Sequence, residues 1–128
     1  MTGLNFMVVD DSLIIQRKLA KYIDELGHNV VYTADTGEEA LKGYAKVKPD
    51  LVTMDITMPD MNGVDATRKI CKHFPEARII MVTSHGQEEM VVDALDAGAK
   101  GYILKPIKKD KLDATIKRLV TDISGSPI

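Results

Sequence analysis

Side chains that can do chemistry directly follow four short apolar runs in this 128-residue chain. Asp10 and Asp11 come after the first of these runs, and Asp55 comes after a later one. The hydroxyl of Thr83 and the ammonium of Lys105 follow two further runs. If these groups meet in one crevice, three carboxylates, a hydroxyl and an ammonium suit the transfer of a phosphoryl group onto a carboxylate.

Three carboxylates in one crevice repel one another and require a cation. Two unit charges about 5 Å apart cost on the order of 3 kcal/mol at an effective dielectric of about 20. Lys105 can offset part of this charge, and a divalent metal ion can offset the rest. Because the candidate ligands Asp10, Asp11 and Asp55 offer hard oxygen atoms, they favour Mg²⁺ over zinc.

The three carboxylates are suited to different tasks. Asp55 is the best candidate nucleophile, since it stands alone after the predicted central strand, and its phosphorylation would give an acyl phosphate. Asp10 and Asp11 are adjacent and are better suited to holding the metal ion. The ion and Lys105 would then neutralise charge on the phosphoryl oxygens in the transition state.

The elements that must position these groups are predicted from hydrophobic patterning. Five short, continuous, β-branched-rich runs predict strands that are buried on both faces. These runs cover residues 6–9, 30–32, 51–54, 79–82 and 102–104. Five segments with helical periodicity alternate with them. The alternation predicts an α/β fold with a doubly wound parallel sheet, in which ligands bind beyond the carboxyl ends of the strands.

Local signals predict where the first helix ends and where the second helix begins. Gly27 is a predicted left-handed stop after the first helix. Thr36 and Glu39 have the spacing of a capping box, which predicts the start of the second helix. Both signals fall between predicted strands, as the alternating pattern requires.

Size and composition fit one soluble domain, which we expect to span residues 1–128 with a core of about 5–120. Seventeen basic and nineteen acidic residues give a net charge of −2, which argues against nucleic-acid binding. The single cysteine, Cys71, excludes an internal disulfide and fits a reducing cytoplasm. No apolar run approaches the roughly twenty residues of a membrane span, so we expect a cytoplasmic protein with no membrane insertion.

Four ordered motifs resemble the receiver domain of bacterial two-component response regulators. They are VVDDS at 8–12, MDITMPDMNG at 54–63, VTS at 82–84 and ILKP at 103–106. The resemblance covers about residues 5–120. Because no output domain is attached, the chain is most similar to the single-domain chemotaxis regulators of that family. The resemblance implies a flavodoxin-like sheet of five strands in the order 2-1-3-4-5, with five helices.

The resemblance also implies a role for each acidic residue. Asp55 would accept a phosphoryl group from a phosphohistidine on a sensor histidine kinase. Asp11, Asp55 and the backbone carbonyl of Thr57 would bind Mg²⁺ directly, while Asp10 would act through water. The chain would then be a signalling switch that catalyses only its own phosphorylation and dephosphorylation.

Three further positions match the family's phosphoryl contacts and switch. Thr83 and Lys105 would contact the phosphoryl group, and Tyr102 would turn inward when Thr83 is drawn to the phosphate. Tyr102 could also simply fill the core. The Lys105–Pro106 peptide bond would be cis, which proline permits at low cost.

The resemblance implies a partner surface as well. A downstream target, the flagellar switch or another output, would bind the face built by the fourth helix, fifth strand and fifth helix. We expect the chain itself to be a monomer.

Three other functions compete with this interpretation. The chain could be a phosphorelay shuttle or a receiver excised from a multidomain regulator. It could be a phosphohydrolase of the haloacid dehalogenase kind, although Thr57 stands where such an enzyme needs a second carboxylate. It could also bind a flavin, but Asp10 and Asp11 would repel the flavin phosphate.

Overall fold

The computed structural model describes residues 3–124, with side chains described for residues 3–119. Five parallel strands form one sheet in the order β2-β1-β3-β4-β5, and five helices alternate with them. The strands are β1 (Asn5–Val9), β2 (Asn29–Ala34), β3 (Leu51–Asp55), β4 (Ile79–Thr83) and β5 (Gly101–Leu104). The helices are α1 (Leu13–Glu25), α2 (Gly37–Val47), α3 (Gly63–His73), α4 (Glu88–Ala97) and α5 (Lys109–Ser124). The predicted fold class and strand order are confirmed.

Two hydrophobic cores lie on opposite faces of the sheet, because successive side chains of a strand point to opposite sides. In β1, Met7 and Val9 pack with buried residues of α2, α3 and α4. Phe6 and Val8 pack instead with buried residues of α1 and α5. The sheet is therefore covered on both faces, and its carboxyl edge is the place where loops leave the core.

The prediction that all five strands are buried on both faces is wrong for the two edge strands. Every residue of β3 and β4 is buried, as predicted. In contrast, burial alternates along most of β2 and along β5, whose Tyr102 and Leu104 are 51% and 42% exposed. β2 and β5 lie at the sheet margins, where one face is less fully covered by helices. The half-exposed position of Tyr102 also contradicts its interpretation as core filler.

The predicted helix signals are confirmed. Gly27 follows α1 with a φ of +89°, in the left-handed region that glycine tolerates. The Thr36 hydroxyl accepts a hydrogen bond from the Glu39 N–H at 3.1 Å and so caps α2. The Glu39 carboxylate accepts a bond from the Tyr32 hydroxyl at 3.0 Å, which links α2 to the edge strand β2.

A carboxylate from the loop after β3 also caps α2. Asp60 accepts hydrogen bonds from the N–H groups of Gly37 and Glu38, at 2.9 and 3.0 Å. These bonds hold the pKa of the Asp60 carboxyl below its ordinary value, and the negative charge is favoured at a helix N-terminus. The loop that follows Asp55 is therefore hydrogen-bonded to the N-terminus of α2.

None of the helices within residues 3–124 is both long and apolar enough to cross a membrane.

Candidate functional site

The candidate site lies at the carboxyl edge of the sheet, where the predicted residues meet. Asp10 directly follows β1, Asp55 is the last residue of β3, and Thr83 is the last residue of β4. Lys105 directly follows β5. β1 and β3 are neighbours although α1, β2 and α2 separate them in the chain, and this crossover opens the crevice between them.

Three carboxylates converge in this crevice. Asp10, Asp11 and Asp55 each offer an oxygen atom, and these three atoms lie within 4.8 Å of one another. Asp10 and Asp55 are buried, with exposed fractions of 1% and 6%, while Asp11 is exposed. The Nζ atom of Lys105 lies 3.4 Å from Oδ1 of Asp55 and 3.7 Å from Oδ2 of Asp10. One ammonium therefore faces a cluster of three acidic groups.

Burial raises the pKa of the two buried carboxyl groups, those of Asp10 and Asp55. Removal from water, and to a lesser extent the charge of Asp10, raises the pKa of Asp55 to about 6 although Lys105 opposes the shift. Burial also raises the pKa of Asp10, against the hydrogen bond that its Oδ1 accepts from the Ser12 N–H at 2.8 Å. The ionised forms are thus held at an energetic cost that an added cation would relieve.

The oxygen atoms of the cluster fit a hard metal ion. Among the described residues, Oδ2 of Asp10 is buried and has no hydrogen-bond partner, since its distance of 3.7 Å to Lys105 is an ion-pair contact only. A buried carboxylate oxygen without a partner is costly, and a divalent cation with oxygen ligands would satisfy it. Thr57, the other predicted ligand residue, is the second residue of the loop that follows Asp55.

Gly63 packs against the candidate site, which its place in the sequence did not reveal. A Cβ atom at this position would lie 2.0 Å from the carbonyl oxygen of Asp55. The Gly63 N–H also donates to the Ile56 carbonyl at 2.5 Å. The first residue of α3 therefore packs directly against the backbone of the predicted phosphoacceptor. The motif at 54–63 contains this glycine, but sequence alone does not show which backbone it approaches.

Gln87 is a second missed residue, and it contacts three positions around the site. Its Oε1 accepts hydrogen bonds from the Thr83 hydroxyl at 3.1 Å and from the Ser84 N–H at 2.7 Å. Its Nε2 donates to Oγ1 of Thr57 at 3.3 Å. The spacing Ser84-x-x-Gln87 is that of a capping box, and this signal could have identified the contact with Ser84. Thr83 itself is 1% exposed.

The predicted switch tyrosine lies on the outer side of this region. Tyr102 and Thr83 both line a groove of about 350 Å³ between α4 and β5, with Val91 and Leu95 on its helical wall. Tyr102 is thus turned away from the core but borders the space next to Thr83. The Lys105–Pro106 peptide bond is cis.

A family model described as the response regulator receiver domain matches residues 6–117. Chemotaxis protein CheY of Thermotoga maritima is 40% identical over 117 residues, which cover 91% of this chain and 98% of that protein. Chemotaxis protein CheY of Bacillus subtilis is 40% identical over 112 residues, covering 88% and 93% of the two chains. The crystal structure of a CheX-CheY-BeF3-Mg²⁺ complex from Borrelia burgdorferi matches with a TM-score of 0.88, 35% identity and coverage of 93% and 90%.

Proposed function

Since the chain belongs to the response regulator receiver domain family, we propose that it is a phosphorylation-activated switch whose Asp55 accepts a phosphoryl group from a sensor histidine kinase. One observation carries the proposal. A buried carboxylate at the end of β3 lies within 4.8 Å of two others and 3.4 Å from the ammonium of Lys105. This arrangement combines a nucleophile with the positive charge that phosphoryl transfer needs.

The proposed reaction starts with an oxygen atom of the Asp55 carboxylate. With a pKa of about 6, Asp55 is largely ionised at pH 7. The oxygen attacks the phosphorus of the phosphohistidine, a new O–P bond forms, and the P–N bond breaks. The bonding electron pair stays on the imidazole nitrogen, which takes up a proton from solvent. Lys105 neutralises part of the charge on the transferred group.

Asp11, Asp55 and the backbone carbonyl of Thr57 would hold Mg²⁺ directly, with Asp10 acting through water. When bound, the ion supplies positive charge next to the oxygens of the transferred group. The buried Oδ2 of Asp10, which has no hydrogen-bond partner among the described residues, supports this assignment. The protein would catalyse only its own phosphorylation and dephosphorylation, and so would not be an enzyme in the usual sense.

A small-molecule phosphoryl donor tests the proposed acceptor. We expect incubation with Mg²⁺ and acetyl phosphate to add one phosphoryl group, as measured by intact-protein mass spectrometry. Asp55→Asn should abolish the addition, because an amide is not a competent nucleophile here, whereas the exposed α4 control Asp93→Asn should be labelled like wild type. Equal labelling of Asp55→Asn would overturn the assignment.

Phosphorylation would alter the face built by α4, β5 and α5. A phosphoryl group adds about −2 charge and would draw the Thr83 hydroxyl toward it, and Tyr102 would then turn into the groove beside Thr83. The target of this face would be a protein, the flagellar switch or another output, in the cytoplasm. The similarity to chemotaxis proteins supports a role in motility control.

Thr83→Ala should separate phosphorylation from switching. The variant keeps Asp55 and Lys105, so we expect labelling by acetyl phosphate to stay within about tenfold of wild type, the upper end of the effect of one lost neutral hydrogen bond. Its Tyr102 ring resonances should not move when Mg²⁺ and fluoroberyllate are added, because the hydroxyl that transmits the signal is gone. NMR spectra of wild type and variant test this directly. The same shift of the Tyr102 ring in both proteins would contradict the role of Thr83.

A further inference from the structure

Gln87 lies at the mouth of the site, in direct contact with the proposed switch residue. We propose that Gln87 is a positioning residue that holds the Thr83 hydroxyl in its unphosphorylated orientation, so that phosphorylation must break this contact before the protein can switch. The inference rests on the proposed function, because it concerns the equilibrium that phosphorylation at Asp55 would shift.

The hydrogen bonds of Gln87 define the orientation of its side-chain amide. The Ser84 N–H can only donate, so the atom that it contacts at 2.7 Å must be the amide oxygen. The same oxygen then accepts from the Thr83 hydroxyl at 3.1 Å. The amide nitrogen consequently faces Oγ1 of Thr57 at 3.3 Å.

In this orientation of the amide, the Thr83 hydroxyl donates its proton to Oε1 of Gln87. A hydroxyl group has one proton to donate, and Gln87 is its closest acceptor, with the Ser84 carbonyl farther away at 3.4 Å. The proton therefore cannot also be donated to a phosphoryl oxygen on Asp55. Thr83 must leave Gln87 before it can contact the phosphate.

The amide of Gln87 also connects the two loops that flank Asp55. Thr57 belongs to the loop after β3 and Ser84 to the loop after β4, and Gln87 directly precedes α4. When Thr83 moves, the amide loses one of its three partners at the start of α4. Gln87 thus links the hydroxyl of Thr83 to the helix that borders the proposed target-binding face.

The expected size of the effect follows from the strength of a neutral hydrogen bond. Its usual net contribution corresponds to about a twofold to tenfold change in an equilibrium constant. A ligand that binds the minor, switched conformation gains apparent affinity in proportion to the population of that conformation. Removing the amide of Gln87 should therefore tighten fluoroberyllate binding by about twofold to tenfold.

The experiment measures fluoroberyllate binding in the presence of Mg²⁺ by ¹⁹F NMR. Gln87→Met has a side chain of similar length without the amide, and Gln87→Ala is a second variant. Both should bind about twofold to tenfold more tightly than wild type. In the absence of fluoroberyllate, the Thr83 methyl resonance of both variants should move in the same direction, toward its position in saturated wild type, whereas a purely local effect of the new side chain would differ between Met and Ala. Glu89→Gln, an exposed change in the first turn of α4, is the matched control.

A double-mutant cycle tests whether Gln87 acts through Thr83. In a Thr83→Ala background, Gln87→Met should have no further effect on fluoroberyllate affinity. If wild type binds fluoroberyllate but Gln87→Met has the same affinity and an unmoved Thr83 resonance, the role of Gln87 is overturned. The role is also overturned if the effect of Gln87→Met persists in full without the Thr83 hydroxyl. Failure of wild type to bind would instead overturn the proposed function, and this inference with it.

Discussion

Gly63→Ala is expected to lower the free energy of unfolding by about 3 kcal/mol, at the upper end of the usual cost of overpacking. The added Cβ would lie 2.0 Å from the carbonyl oxygen of Asp55, so either the start of α3 or the end of β3 must move. Both are backbone, and neither can rotate away as a side chain can. The same displacement should shift Asp55 relative to Lys105 and weaken labelling by acetyl phosphate.

Urea denaturation of wild type and Gly63→Ala measures this cost. Gly101→Ala is the matched control, because its Cβ would meet the end of the exposed Arg118 side chain at 2.9 Å, and that side chain can move. We expect the control to change the free energy of unfolding by less than about 1 kcal/mol. Equal stability of Gly63→Ala and Gly101→Ala would show that the start of α3 is not packed against Asp55.

The metal-free protein is expected to lose stability as the pH rises from about 4 to about 7, and Asp55→Asn should remove much of this loss. The pKa of Asp55 is about 6 in the folded protein, whereas an aspartate exposed to water, as in the unfolded chain, has its ordinary value of 3.8. The folded state therefore binds the proton more tightly, and the free energy of unfolding falls as the proton leaves between these two values. A difference of roughly two pKa units corresponds to on the order of 3 kcal/mol.

Urea denaturation in EDTA at pH 4.5 and pH 7.5 tests this expectation. At pH 7.5 Asp55→Asn should be more stable than wild type, and the difference should shrink at pH 4.5, where the wild-type carboxyl is largely protonated. Asp93→Asn changes an exposed carboxyl and should show little difference at either pH. If Asp55→Asn were instead less stable than wild type at pH 7.5, the ionised Asp55 carboxylate would not destabilise the folded protein. Addition of Mg²⁺ should stabilise wild type more than Asp55→Asn, since a ligand stabilises the state that binds it.

Much of the fold could be predicted from local patterning. Buried strands such as β3 and β4 appear in the sequence as continuous apolar runs, and the cap at Thr36 and the stop at Gly27 follow from short-range chemistry. The strand order came from the resemblance, since periodicity does not determine which strands pair. The exposure of β2 and β5 could not be predicted from their apolar residues, because burial at a sheet margin depends on which helices cover it.

Part of the candidate site could also be predicted from local sequence patterns. The acidic residues and Lys105 directly follow strands, so parallel pairing alone brings them to one edge of the sheet. Gln87 was missed because its bond to Thr57 joins residues thirty positions apart. Its contact depends on how the loops after β3 and β4 approach each other in space. Gly63 was missed because a glycine in a motif does not reveal which backbone it approaches.

The cap that Asp60 provides for α2 has a mechanical consequence. In the loop after Asp55, Asp60 accepts two charge-assisted hydrogen bonds from the N-terminus of α2, at 2.9 and 3.0 Å. In the same loop, Thr57 accepts a hydrogen bond from the neutral amide of Gln87 at 3.3 Å. Charge-assisted hydrogen bonds are the stronger of the two kinds. We therefore expect a displacement at Asp55 to break the contact with Gln87, and so to reach α4, more readily than it breaks the contacts with α2.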